Sequence, residues 1–220
     1  MIKKLSRKIK NACWQRNRKK VNAAMRDRLH TDDVTIISAN CNGGIVSHDL
    51  GLQFRSPTVN LFIPAEAFIK FCENLPYYLS IDTMVECVDP AVTKGVSYPV
   101  AYLGDILLFL VHYSSVEEAQ RIWNQRKQRI NWNNIAVMAT DRDGMTDELK
   151  DRFERLPYRK VMLTHLPDDK HPSCFYIAGY EKDDCVGIVT DHNNWKGTRP
   201  IDQFDYVGFL NGNEAPWTNE

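Results

Sequence analysis

Cys41 stands in the run Asn40-Cys-Asn-Gly-Gly44, directly after the β-branched stretch Val34-Thr-Ile-Ile-Ser38. A thiol at a strand exit followed by two glycines has the makings of a nucleophile. Glycine lets the backbone turn sharply and leaves N–H groups free to face an oxyanion. A helix starting there would lower the thiol pKa. The GxSxG pattern of a nucleophile elbow is absent. The same residues also suit a small buried thiol at a tight corner, as most free cysteines are.

A nucleophile needs a base and the base an orienter. Other expected strand exits carry such groups: His112 after Ile106–Val111, Asp141 after Ile135–Ala139 and His165 after Lys160–Thr164. The expected catalytic set is Cys41 as nucleophile, His112 as base and Asp141 as orienter. Asn40, Asn42, Gly43 and Gly44 would line the substrate's path, with His165 close by. Ser56 and Thr58 offer hydroxyls for a sugar or phosphate, though such pairs are common turn chemistry. Arg126 and Arg129 offer planar forks for an anion, or simply a solvated helix face. No spacing such as HxxxH marks a metal site. Asp141-Arg-Asp143 could hold a divalent cation as in glycosyl or phosphoryl transfer, which is the rival enzyme reading. A third reading is a glycan-binding or scaffold protein without catalysis, stacking sugars on Trp132, Trp195 and Trp217. Neither GxxxxGK[ST] nor GxGxxG occurs, so nucleotide hydrolysis and dinucleotide binding are disfavoured.

These groups converge only if the strands lie side by side. Strands are expected at Val34–Ser38, Met84–Val88, Ala101–Leu103, Ile106–Val111, Ile135–Ala139, Lys160–Thr164 and Phe175–Gly179, with Thr58–Ile63 a further strand or an extended segment. Gly104-Asp105 marks a hairpin. Helices fall between: one after Pro64 with Phe68, Phe71, Cys72 and Leu75 inward, one from Ser115 to about Ile130, and one capped by Thr146. Residues 201–209 add a short helix. The alternation predicts an α/β fold, an open mixed, mostly parallel sheet flanked by helices on both faces. In such sheets ligands sit outside the carboxyl ends of the strands.

The 220 residues carry no net charge, but the charges are unevenly placed. Eleven of the 28 Lys and Arg fall in residues 1–28 beside one acid, Asp27, leaving 17 bases against 27 acids beyond. Residues 1–30 read as a basic amphipathic helix, with Ile2, Leu5, Ile9 and Ala12 and then Val21, Ala24, Met25 and Leu29 on its apolar side. Residues 31–220 read as a single α/β domain. The basic segment could rest on anionic lipid with Trp14 at the interface, or pack on its own domain. The acidic body disfavours nucleic acid. Six irregularly spaced cysteines without CxxC argue against a zinc ribbon. Lys8 and Lys10 interrupt any signal-peptide core, and no apolar run approaches the roughly 20 residues that span a bilayer. A cytoplasmic protein, at most peripheral at the inner membrane face, is expected.

Taken in order, Ser38-Ala-Asn-Cys-Asn-Gly-Gly44, Ser56-Pro-Thr-Val-Asn-Leu61, Tyr98-Pro-Val100, His112-Tyr113, Trp123-Asn-Gln-Arg126 and Arg129-Ile-Asn131 form one signature. The chain, over roughly residues 34–210, resembles a bacterial family of unknown function found among exopolysaccharide and capsule biosynthesis genes. Its members often carry an acetyltransferase label. The resemblance implies a surface-polysaccharide pathway, with a sugar or lipid-linked glycan precursor as acceptor and acetyl-CoA as candidate donor. Joined to the residues, it gives acyl transfer through Cys41 as the expected function.

Overall fold

The structure is a computed structural model and describes residues 2–191 and 195–217, with side chains from residue 10 onward. In chain order the elements are α1 (Ile2–Arg28), β1 (Thr35–Ser38), α2 (Asn42–Leu50), α3 (Ala65–Glu73), α4 (Leu75–Ser80), β2 (Val85–Glu86) and α5 (Pro90–Thr93). Then follow β3 (Val100–Leu103), β4 (Ile106–Phe109), α6 (Val116–Lys127), β5 (Ile135–Thr140), α7 (Asp147–Glu154), β6 (Arg159–Thr164), β7 (Cys174–Tyr176) and α8 (Tyr206–Leu210).

β1, β5, β6 and β7 pair in that order, all parallel. Every residue of β1 and β5 is buried, as expected where helices cover both faces. Alternate residues face opposite ways. Ile37, Val137 and Met162 join Phe68, Trp123 and Phe153, so α3, α6 and α7 lie on one face. Ile36, Met138 and Leu163 join Val46, Leu50 and Phe209, so α2 and α8 lie on the other. The expected α/β architecture with a mostly parallel sheet is present. The hairpin at Gly104 also forms, its φ of 61° in the region glycine favours. It belongs, however, to a separate antiparallel sheet, β2-β3-β4.

The stretch Thr58–Ile63 is not a strand. The chain turns through Asn60, at φ 74°, and only three residues remain before Pro64. Phe62 and Phe109 exchange both backbone hydrogen bonds, at 2.8 and 2.9 Å. The next residue, Ile63, donates to the Ala39 carbonyl at 2.8 Å. One short run thus straps the small sheet to the end of β1.

The helix starts follow their caps. Ser115 Oγ accepts from Glu118 N and Thr146 Oγ1 from Leu149 N. At α2 the two glycines answer a packing demand. A Cβ on Gly43 would sit 2.8 Å from Ser38 Cβ, and one on Gly44 would sit 3.1 Å from Val59 Cγ1. They let α2 lie hard against β1 and the loop beside it.

α1 runs unbroken, and its inward face is not the expected apolar one. The side chains of Ile2, Leu5 and Ile9 lie outside the described residues. Of the second group, Ala24 is exposed and Val21, Met25 and Leu29 are only half-buried. Trp14, Arg18 and Asn22 are the buried residues, one turn apart. Arg18 donates to Asp49 at 2.7 Å and to Asp202 at 2.6 Å. Asn22 and Arg199 also donate to Asp49, and the Arg199 guanidinium lies 5.4 Å over the Trp14 ring. Burial alone would depress the Arg18 pKa, yet the hydrogen bond to Asp202 and the charges around it carry it above the arginine norm. Trp14 is therefore an internal residue, and α1 is built into the domain by buried charge.

Arg18→Ala strands buried carboxylates and lowers unfolding free energy by about 3–5 kcal/mol. Arg28→Ala, which loses only the half-exposed pair with Asp205, costs less than about 1 kcal/mol. Urea titration of the two variants side by side reads the difference. Gly43→Ala forces a Cβ into Ser38 and costs about 1–3 kcal/mol, seen as a lower urea midpoint at unchanged slope.

Candidate functional site

β1 and β5 are neighbours, but their exits part. The chain leaving β1 enters α2 on one face of the sheet, and the chain leaving β5 enters α7 on the other. A crevice opens where adjacent strands send their connections to opposite faces. Here it has a volume of about 260 Å³. Asn40, Cys41 and Asn42 form one lip and Thr140, Arg142 and Asp143 the other. Phe62 and the loop residues Gly187, Ile188 and Thr190 complete it.

Cys41 is the residue before α2, and its carbonyl accepts the helix's first backbone bond, from Ile45 N at 2.9 Å. Its Sγ lies 3.5 Å from His112 Nε2. The strap explains why two residues 71 positions apart meet. Ile63 is bonded to Ala39, two residues before the thiol, and Phe62 to Phe109, three before the imidazole. His112 N also donates to the Asn60 carbonyl at 3.3 Å, which closes the loop. Asn40 steadies the lip, its Oδ1 accepting from Asn42 N at 3.1 Å and its Nδ2 reaching Thr140 Oγ1 at 3.4 Å. Burial pushes the Cys41 thiol above the usual cysteine value. The helix N-terminus was expected to lower it; desolvation wins. The resting group is a neutral thiol beside an imidazole, which calls for His112 as a general base. Asn42 N is held by Asn40, and the N–H groups of Gly43 and Gly44 lack intrahelical partners by helix geometry, although the two glycines themselves pack against Ser38 and Val59 and do not line the crevice.

Asp141 does not orient His112. Its Oδ2 accepts from His165 Nδ1 at 2.5 Å and from His165 N at 2.8 Å, and its Oδ1 accepts from Val186 N at 2.8 Å. Strand register is the cause. Thr140 pairs with Leu163, so the next residue, Asp141, comes beside His165 rather than the exit of β4. With its oxygens committed, Asp141 is a poor partner to Asp143 for a shared cation. Arg142, between them, lines the crevice.

Other expected contacts lie behind the site. Ser56 and Thr58 are buried, and Thr58 Oγ1 accepts from Ser38 N, sealing the free edge of β1. Arg126 donates to Val59 O and Tyr113 Oη, and Arg129 to Phe54 O, so both brace the 54–59 loop. His48 is 80% exposed, with its Nδ1 3.6 Å from Asp49 Oδ1. Trp217 packs edge-on against Phe204 and Phe209, while Trp132 and Trp195 are exposed. The loop 187–190 was not anticipated. Its placement rests on the long-range bond from Val186 to Asp141, which leaves no local trace.

Asp168, His171 and Cys174 present ligand-type atoms within 4.8 Å of one another. Lys150 already donates to Asp168 at 2.9 Å. Both His171 nitrogens face carboxylates, of Asp168 at 2.8 Å and Asp151 at 3.2 Å. Burial raises the Cys174 thiol to about 12, which keeps it protonated. The cluster is self-neutralised and ties α7 to the loop before β7.

No helix among the described residues is long and apolar enough to cross a membrane. The chain is 37% identical over 205 residues to a protein of Haemophilus influenzae described as "Uncharacterized protein". The match covers 93% of this chain and 97% of the relative. The family model "Domain of unknown function (DUF1919)" matches residues 12–211, taking in much of α1 together with the whole crevice. The chain belongs to the DUF1919 family.

Proposed function

We propose that the chain is an acyltransferase working through a Cys41–His112 dyad, and that its acceptor is a sugar hydroxyl of an exopolysaccharide or capsule precursor. The observation that carries the chemistry is the 3.5 Å approach of Cys41 Sγ to His112 Nε2 at the lip of the crevice. The pathway rests on the signature blocks alone. Acetyl-CoA is the first donor to try.

In the first step the thiol adds to the donor's carbonyl carbon while His112 Nε2 takes its proton. The C–S bond forms, and the bond to the leaving group breaks. His112 returns the proton to the leaving group. In the second step the acceptor hydroxyl gives its proton to His112 and attacks the thioester, and Cys41 departs with that proton. The first-turn N–H groups of α2 are the donors available to a developing oxyanion. The outward basic residues of α1, among them Arg16, Lys19 and Lys20, would hold the enzyme near anionic lipid that carries such precursors.

Incubation with acetyl-CoA should give a single acetyl adduct, labile to hydroxylamine and located on the Cys41 peptide by mass spectrometry. The adduct is absent in Cys41→Ala and forms roughly 100-fold more slowly in His112→Ala, the lower end of what a positioned base contributes. Acetylation at the full rate in Cys41→Ala would sink the assignment. The raised thiol pKa adds a pH test. The thiolate fraction at Cys41 grows as pH climbs towards a value above the ordinary one, so iodoacetamide alkylation should rise steadily between about pH 5 and 8. A plateau over that range is the mark of a thiolate–imidazolium pair and would contradict it.

A further inference from the structure

Arg142 differs from the other arginines. Every other buried or half-buried arginine among the described residues donates at least one hydrogen bond, to a carboxylate, carbonyl, hydroxyl or amide oxygen. Arg142 is half-buried, lines the crevice, and among the described residues meets only the Asp143 carboxylate, at 3.9 Å from Nε. That contact is too long for a hydrogen bond. Burial pushes the Asp143 carboxyl above the usual range despite the nearby Arg142 charge. A guanidinium keeps its charge at any physiological pH and offers a planar fork of donors. Its outer nitrogens have no hydrogen-bond acceptor among the described residues.

The position is fixed from both sides. Ser38 is in register with Met138, and the Asn40–Thr140 contact carries that register past the strand ends. Cys41 and Arg142 therefore stand on facing lips, one and two residues further on. The backbone just before Arg142 is pinned, because Asp141 donates its N–H to Leu163 O at 3.1 Å and holds three N–H groups through its carboxylate. Thr140 and Thr190 add hydroxyls to the same wall, and Ile188 adds an apolar surface.

We infer that Arg142 forms an anion subsite facing Cys41, which binds a carboxylate or phosphate group of the acceptor and sets its hydroxyl at the thioester carbonyl on Cys41. The inference rests on the Cys41–His112 reading for the reacting atom, but the anion site exists independently of it. A crevice of about 260 Å³ is smaller than pockets that enclose a drug-sized ligand. It would take the acceptor's anionic group together with the reacting hydroxyl, leaving the remainder of the acceptor outside.

The test measures iodoacetamide modification of Cys41 by peptide mass spectrometry in potassium chloride, inorganic phosphate or malonate at equal ionic strength. Cys13, exposed on α1, is the internal control. At saturation phosphate or malonate should slow Cys41 about tenfold in the native protein and leave Cys13 unchanged, in keeping with a charge-assisted bond. The protection should vanish in Arg142→Gln. Slowing by phosphate alone assigns a phosphorylated substrate, by malonate alone a carboxylated one. No slowing by either anion, or equal slowing in Arg142→Gln, overturns the subsite and leaves the dyad standing. If Cys41 resists iodoacetamide in all salts, the dyad reading fails instead. The subsite is then read by melting temperature, which phosphate or malonate should raise in the native protein but not in Arg142→Gln; no rise in the native protein overturns it.

Discussion

Between Asn60 and Pro64 the chain has room for one extended run, and both of its edges are used. Phe62 pairs with the last residue of β4, and Ile63 gives its N–H to the residue that follows β1. The antiparallel sheet and the parallel sheet are otherwise separate ladders. Backbone pairing is directional and tolerates errors of only a few tenths of an ångström, so this run fixes the two sheets to one another more tightly than side-chain packing would. Since Cys41 leaves one sheet and His112 the other, their relative placement inherits that rigidity. Functional groups that come from loops are held best when the loops are short extensions of rigid elements.

The expected strands and helices of the core were legible because their patterns are local. Ile135–Ala139 is continuous apolar chain, and Ser115 and Thr146 are helix caps. Cys41 and His112 were legible as members of one site because each follows a strand. The carboxylate was misassigned for a reason that no window of sequence contains. Asp141 finds His165 because β5 lies beside β6, and misses His112 because β4 belongs to another sheet. Strand order decides this, and strand order is set by the whole chain. The glycines of α2 were read for their N–H groups, whereas their missing side chains also let the helix close on β1.

The inward face of α1 shows the limit of hydropathy. Trp14, Arg18 and Asn22 contain one apolar residue in three, so no periodicity of greasy side chains reveals them. What is buried is a charge with its counter-charges, Asp49 from α2 and Asp202 from the 3-10 turn Pro200–Gln203. A buried pair of this kind adds little net stability compared with well-packed apolar side chains. Its geometry is demanding, so it specifies one seat for the helix where an apolar stripe would permit several.

That seat has a consequence for the order of events at the ribosome. The two carboxylates that hold Arg18 lie 31 and 184 residues further along the chain. At roughly 5–20 residues per second, on the order of ten seconds or more separates the emergence of Arg18 from that of Asp202. α1 is thus made before the elements that seat it and is held fully only after Asp202 has emerged. During that interval a nascent helix with an apolar stripe would expose a sticky surface to its neighbours. One whose surface is crowded with lysine and arginine stays hydrated and self-repelling until its acceptors arrive.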